Sequence, residues 1–169
     1  CALPIKDIVA DNAALLLWTT FPYLQTQLNK VFEAWGFEYR TLGFAWLKFN
    51  PKNGLPFFGV GYYSKSNMEL CLLGIRGRMK PITNSISQVC FAPRGKHSVK
   101  PTSVRDKIVE LFGDLPRIEL FAREKTPGWD VWGNEVDSDI QLNENLPHVS
   151  ESRQRIIDAA SAELRKNKS

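Results

Sequence analysis

The chain has 169 residues, 43% of them hydrophobic and 24% charged, with a formal charge of +4. That balance fits a soluble globular protein of one domain and excludes a chain disordered as a whole. No apolar run approaches the roughly 20 residues of a membrane span, and three widely spaced cysteines with two histidines exclude a disulfide framework and an evident metal site.

Taken in order, Pro4 to Ala13 has the spacing of a short helix. Ala14 to Trp18 (A-L-L-L-W) is a continuous apolar run, the pattern of a strand buried on both faces. A helix is predicted from about Pro22 to Trp35, with Leu24, Leu28, Val31, Phe32 and Trp35 as its stripe and Gly36 as its stop. From Phe37 to Lys48 the period falls to two, giving one long or two linked strands. Asn50 to Ser66 is a long loop in which Phe57, Phe58, Tyr62 and Tyr63 interleave with Lys52 and Lys65, as suits an unstacked base and its phosphates. The rings could equally fold into the core.

Met68 to Ile75 is a second buried strand, and Ile86 to Phe91 is the one extended piece of the loop that follows. Between Arg76 and Lys107 the chain carries Arg76, Arg78, Lys80, Arg94, Lys96, Lys100, Arg105 and Lys107 against Asp106 alone, which suggests a phosphate-facing patch. A helix is expected from Thr102 to Phe112, with Ser103 and Asp106 at capping-box spacing and Gly113 closing it. Ile118 to Ala122 is a short strand that breaks into Arg123-Glu124-Lys125, a Pro127-Gly128 turn and a Trp-rich loop ending Gly-Asn-Glu. It can be a strand-end ligand pocket or a plain core strand with an anchored loop. Asp137 to His148 looks polar and irregular, and residues 150–169 form a last helix. One domain over residues 1–149 is therefore expected, with that helix appended.

No G-x-G-x-x-G, Walker loop or G-x-S-x-G is present, and neither His97 nor His148 has a triad around it. The ordered series L-L-L-W-T-T, A-W-G-F-E-Y, F-A-W-L-K, S-N-M-E-L-C-L-L-G, H-S-V-K-P, R-I-E-L-F-A-R and G-W-D-V-W-G-N-E, from about Leu3 to Glu135, resembles one family. It is similar to the N6-adenine methyltransferases typified by the catalytic subunit of the mRNA adenosine methyltransferase, with its phage and bacterial DNA-modifying members. The resemblance implies an α/β, Rossmann-like fold with a mostly parallel sheet, helices on both faces and circularly permuted motifs. It implies S-adenosylmethionine as cosubstrate and DNA adenine as substrate, in a cytoplasmic phage or bacterial setting without a membrane, and a homodimer or a heterodimer with a related subunit.

By the same resemblance Lys100, Glu119, Leu120, Arg123, Asn134 and Glu135 contact the cosubstrate. Trp18, Trp46, Lys48, Tyr62, Arg76, Arg78 and Lys96 face the nucleic acid, although the tryptophans also suit a core. The family's Asp-Pro-Pro-Trp is not in this chain, and Asn50-Pro51-Lys52 does not replace it. Because Cys1 does not look like a natural start, that motif is expected upstream. Two further readings stay open: a non-catalytic nucleic-acid-binding relative or partner subunit, and an RNA adenosine methyltransferase.

Overall fold

A computed structural model describes residues 3–24, 28–61, 63–95, 99–143 and 146–148. The chain divides into two compact units, one of Ala10–Asp114 with Cys1, the other of Ala2–Val9 with Leu115–Ser169.

The first unit is built on a four-stranded sheet of order β1-β3-β2-β4, comprising β1 (Ala13–Thr19), β2 (Glu38–Phe49), β3 (Met68–Arg76) and β4 (Val89–Pro93). β3 runs antiparallel to both β1 and β2, while β4 lies parallel to β2. The expected mostly parallel sheet is therefore corrected to a mixed one. β2 and β3 are joined by a loop in which the described residues form no helix, so no helical crossover returns the chain for a parallel pairing. β1 is also an edge strand, half-buried along its length, and not a strand sealed on both faces.

β2 is a single strand of twelve residues with register shifts at Tyr39/Thr41 and Leu42/Phe44. The two bulges bend it, which is why its sequence could suggest two strands. Helix α1 (Phe21–Leu24), which begins one residue early, and helix α2 (Leu28–Trp35) fall on the predicted helix, whose residues 25–27 lie outside the described set. Phe32 of α2 is buried against Gly74, where a Cβ would sit 2.5 Å from its ring. A core cluster joins Phe44, Cys71, Cys90 and Val104, with Leu16, Trp18, Ile86 and Ile108 packed against it. Both cysteines are buried thiols, and burial pushes the Cys71 thiol well up, so it is a packing residue.

Helix α3 (Thr102–Phe112) has the predicted bounds, and Gly113 ends it at φ 85°. The expected capping box is absent, because Pro101 is the N-cap residue and no side chain caps the helix. Extended Pro101 sets the entry angle and leaves Ser103 inside the first turn.

In the second unit the predicted helix from Pro4 reduces to a 3-10 turn at Ile5–Asp7. β5 (Ile118–Leu120) pairs parallel with β6 (Asp130–Trp132), a strand too short to show a period in the sequence. β7 (Gln141–Asn143) and β8 (Leu146–His148) form an antiparallel pair where an irregular segment was expected. The predicted helix over 150–169 lies outside the described residues.

Candidate functional site

Because β1 and β2 both oppose β3, and β4 follows β2, the carboxyl ends of β1, β2 and β4 meet the amino end of β3 at one edge. That edge is where ligands of open α/β sheets bind. Trp18, Lys48 and Glu69 all stand there, and Lys100 joins them from the segment before α3.

Glu69 is the centre of the group. Its carboxylate accepts from Lys48 Nζ at 2.5 Å on one oxygen and from Lys100 Nζ at 2.5 Å on the other. All three side chains are largely shielded from solvent, Glu69 most of all at 13% exposed. Burial alone would raise the Glu69 carboxyl, but the hydrogen bonds and charges of Lys100 and Lys48 outweigh it and hold the group below the usual carboxylate range. At neutral pH the trio is thus two cations around one anion, a net single positive charge. Lys100 Nζ also lies 5.6 Å from the Trp18 ring centre, and Lys48 Nζ 4.9 Å from that of Trp46. Trp18 meets Trp46 edge to face at 6.4 Å.

Four of the residues singled out from the sequence, Trp18, Trp46, Lys48 and Lys100, are therefore brought together. Trp46 is a core residue: it is buried, and its indole N–H donates to the Ala92 carbonyl at 3.0 Å. Glu69 escaped the sequence analysis. A single acid opening an apolar strand looks like a solvated strand end, and only its place inside S-N-M-E-L-C-L-L-G could have flagged it.

Among the described residues, the basic segment does not form one patch. Arg76 closes β3 seven positions from Glu69, about 23 Å along an extended strand. Arg78 follows at a turn where its backbone N–H donates to Asn12 Oδ1 at 2.7 Å. Neither reaches the Glu69 cluster, so Arg76 and Arg78 do not share a patch with Lys100. Lys107 donates to the Ser87 and Val89 carbonyls and is a structural cation. Arg94 stacks over Phe57 at 4.6 Å. Tyr62 and Lys96 lie outside the described residues. A cavity of about 660 Å³ opens near Arg78 and Lys80, walled by Leu42, Leu73, Ile75 and Phe112. Its lining contains none of Trp18, Lys48, Glu69 or Lys100, so it is separate from that cluster.

In the second unit Glu119 and Leu120 lie on β5, paired with Val131 and Trp132. Phe121 follows at φ 59°, a left-handed conformation uncommon for a side chain of this size, and its exposed ring rests on Trp132 at 5.4 Å. Gly133 has no room for a Cβ beside the Ala122 backbone, so the β5 and β6 ends approach closely. Asn134 and Glu135 come next and are exposed, with Glu135 Oε1 3.4 Å from Arg123 Nε.

Asp139 and Ser138, which the sequence did not single out, hold this loop. The Asp139 carboxylate accepts from Val131 N–H at 3.0 Å and Lys125 Nζ at 2.8 Å, and Gly133 N–H donates to Ser138 Oγ at 3.1 Å. The Lys125 hydrogen bond lowers the Asp139 carboxyl, and the same bond raises the Lys125 ammonium. Among the described residues no cluster of metal-ligating side chains occurs, and no helix is long and apolar enough to cross a membrane.

Residues 1–135 match the MT-A70 family. The chain is 37% identical over 145 residues to the Type II methyltransferase M.MunI of Mycoplasma sp, covering 83% of this chain and 58% of that protein. It is 27% identical over 147 residues to the N(6)-adenosine-methyltransferase MT-A70-like of Arabidopsis thaliana, covering 85% of this chain and 21% of the relative. The N(6)-adenine-specific methyltransferase METTL4 of Homo sapiens is 29% identical over 148 residues, covering 79% and 31%. The chain thus spans little more than half of M.MunI and a third or less of the other two. The match over residues 1–135 of 169 makes this chain a member of the MT-A70 family.

Proposed function

We propose that this chain is the cosubstrate-holding part of an S-adenosylmethionine-dependent methyltransferase that acts on N6 of adenine in DNA. The observation that carries the reading is the convergence of Trp18, Lys48, Glu69 and Lys100 at one sheet edge. Similarity to a Type II methyltransferase supports the DNA substrate.

The donor set fits the cosubstrate. Each lysine has three N–H donors and spends one on Glu69, so the cluster keeps donors and one net positive charge for a carboxylate. In the second unit the exposed Asn134 amide and Glu135 carboxylate suit ribose hydroxyls and an adenine amine, with Glu119 and Leu120 at the strand and Arg123 beside Glu135. Bound S-adenosylmethionine supplies a sulfonium methyl for in-line transfer to the exocyclic amine. That amine is a poor nucleophile, because its lone pair is delocalised into the ring. The residues present here position and screen the reactants.

The circularly permuted order, helices on both sheet faces, one methyltransferase domain over 1–149, a dimeric assembly and a cytoplasmic setting belong to the same proposal. The test is incubation of the intact protein with deuterium-labelled S-adenosylmethionine and matched DNA and RNA, followed by nucleoside mass spectrometry. Labelled N6-methyldeoxyadenosine is the expected product. Label confined to RNA would make the chain an RNA methyltransferase, and binding without transfer would make it a non-catalytic relative.

A further inference from the structure

The loop joining β2 to β3 carries an exposed apolar tip on an anchored stem. Asn50 N–H donates to the Leu55 carbonyl at 2.8 Å, Phe57 N–H to that of Lys48 at 2.8 Å, and Gly59 N–H to that of Ser66 at 2.7 Å. Pro56 bridges Phe49, and Lys48 N–H donates to the Asn67 carbonyl at 2.9 Å. Arg94, the residue after β4, lies over Phe57 and braces the same stem. Glycine is required at the tip, because a Cβ on Gly59 would lie 2.5 Å from the Ser66 carbonyl oxygen and one on Gly61 would overlap Ser64.

On this frame Leu55 and Phe58 are exposed, while Val60 is 99% and Tyr63 97% exposed. Single exposed apolar side chains are ordinary on a protein surface, but four on one loop mark an interaction surface. Residues 50–66 contain no acid, and Lys52 and Lys65 stand exposed among the rings. The stem springs from Lys48 and Asn67, next to the Lys48–Glu69–Lys100 cluster.

We propose that Val60 and Tyr63 form a wedge that enters the base stack of duplex DNA and holds the target adenine out of the helix. The proposal rests on the reading of this chain as part of a DNA adenine methyltransferase. An enzyme acting on a stacked base must extrude it, and an apolar side chain in the vacated space offsets the lost stacking. The cations beside the tip suit the flanking phosphates. Anchoring matters because a floppy tip would spend its binding energy on its own ordering.

The experiment compares the intact protein with the Val60→Ser/Tyr63→Ser variant on three substrates of one sequence: a paired duplex, the same duplex with an abasic site opposite the target adenine, and the single strand. The expected result is a loss of tenfold or more on the paired duplex, with less than a threefold loss on the other two. Equal losses on all three, or no loss on the duplex, would overturn the wedge. As a readout independent of turnover, 2-aminopurine at the target position should brighten with the parent protein and stay dark with the variant. Brightening with both would overturn it. A parent protein that methylates none of the three DNAs would remove the underlying functional reading and the wedge with it.

Discussion

The Glu69 cluster and the Arg123–Glu135 pair are both acid–base contacts, one in each unit, and they are built differently. Glu69 is held on a long strand, 13% exposed, between two lysines from different segments. The Arg123–Glu135 pair is 3.4 Å apart with side chains 42% and 61% exposed, on loops beyond three-residue strands. A shielded charge trio depends on all its members, because removing one leaves the others desolvated and unbalanced. An exposed pair is screened by water and is worth little to the fold. The first region thus ties its remaining donors to a fixed geometry, whereas the second pair adds little to the fold.

Glu69→Gln should break this contrast most severely. It removes the anion between two ammonium groups and should cost on the order of 3 kcal/mol of stability, read from denaturant unfolding. Gly74→Ala comes next, because its Cβ would lie 2.5 Å from the Phe32 ring. Its expected cost is about 2 kcal/mol, seen as a lower denaturation midpoint with an unchanged slope.

Acid provides a graded version of the first test. The Glu69 carboxyl is lowered in the folded state, so its contribution is fully present above the ordinary value of 4.5 and is lost as pH falls through the lowered one. Stability measured downward from neutral pH should therefore fall in acid more steeply in the parent than in Glu69→Gln, and parallel curves would refute the assignment. Glu135→Ala should have the smallest effect on the fold, below about 0.5 kcal/mol, because its side chain is 61% exposed. The same substitution should still weaken S-adenosylmethionine binding measurably in a calorimetric titration.

Long apolar runs made β1 and β3 legible in the sequence, and periodicity with a terminal glycine made α3 legible to its ends. The motif series also pointed to Lys100, which stands on the Glu69 carboxylate. Strand direction was hidden, because β1 has the composition of a fully buried parallel strand yet sits at an edge, antiparallel to β3. Glu69 was hidden for a topological reason. Its partners lie 21 and 31 residues away, and only the sheet order puts them on one carboxylate. The basic segment misled in the opposite way. Arg76 and Lys100 are close in composition space but lie at different ends of β3 and its neighbours.

Isothermal titration of S-adenosylmethionine into the intact protein, beside Lys100→Ala and Asn134→Ala, tests the central assignment most directly. Each lost charge-assisted or polar contact should weaken binding about tenfold, the equivalent of roughly 1.4 kcal/mol. Unchanged affinity in both variants would contradict the account.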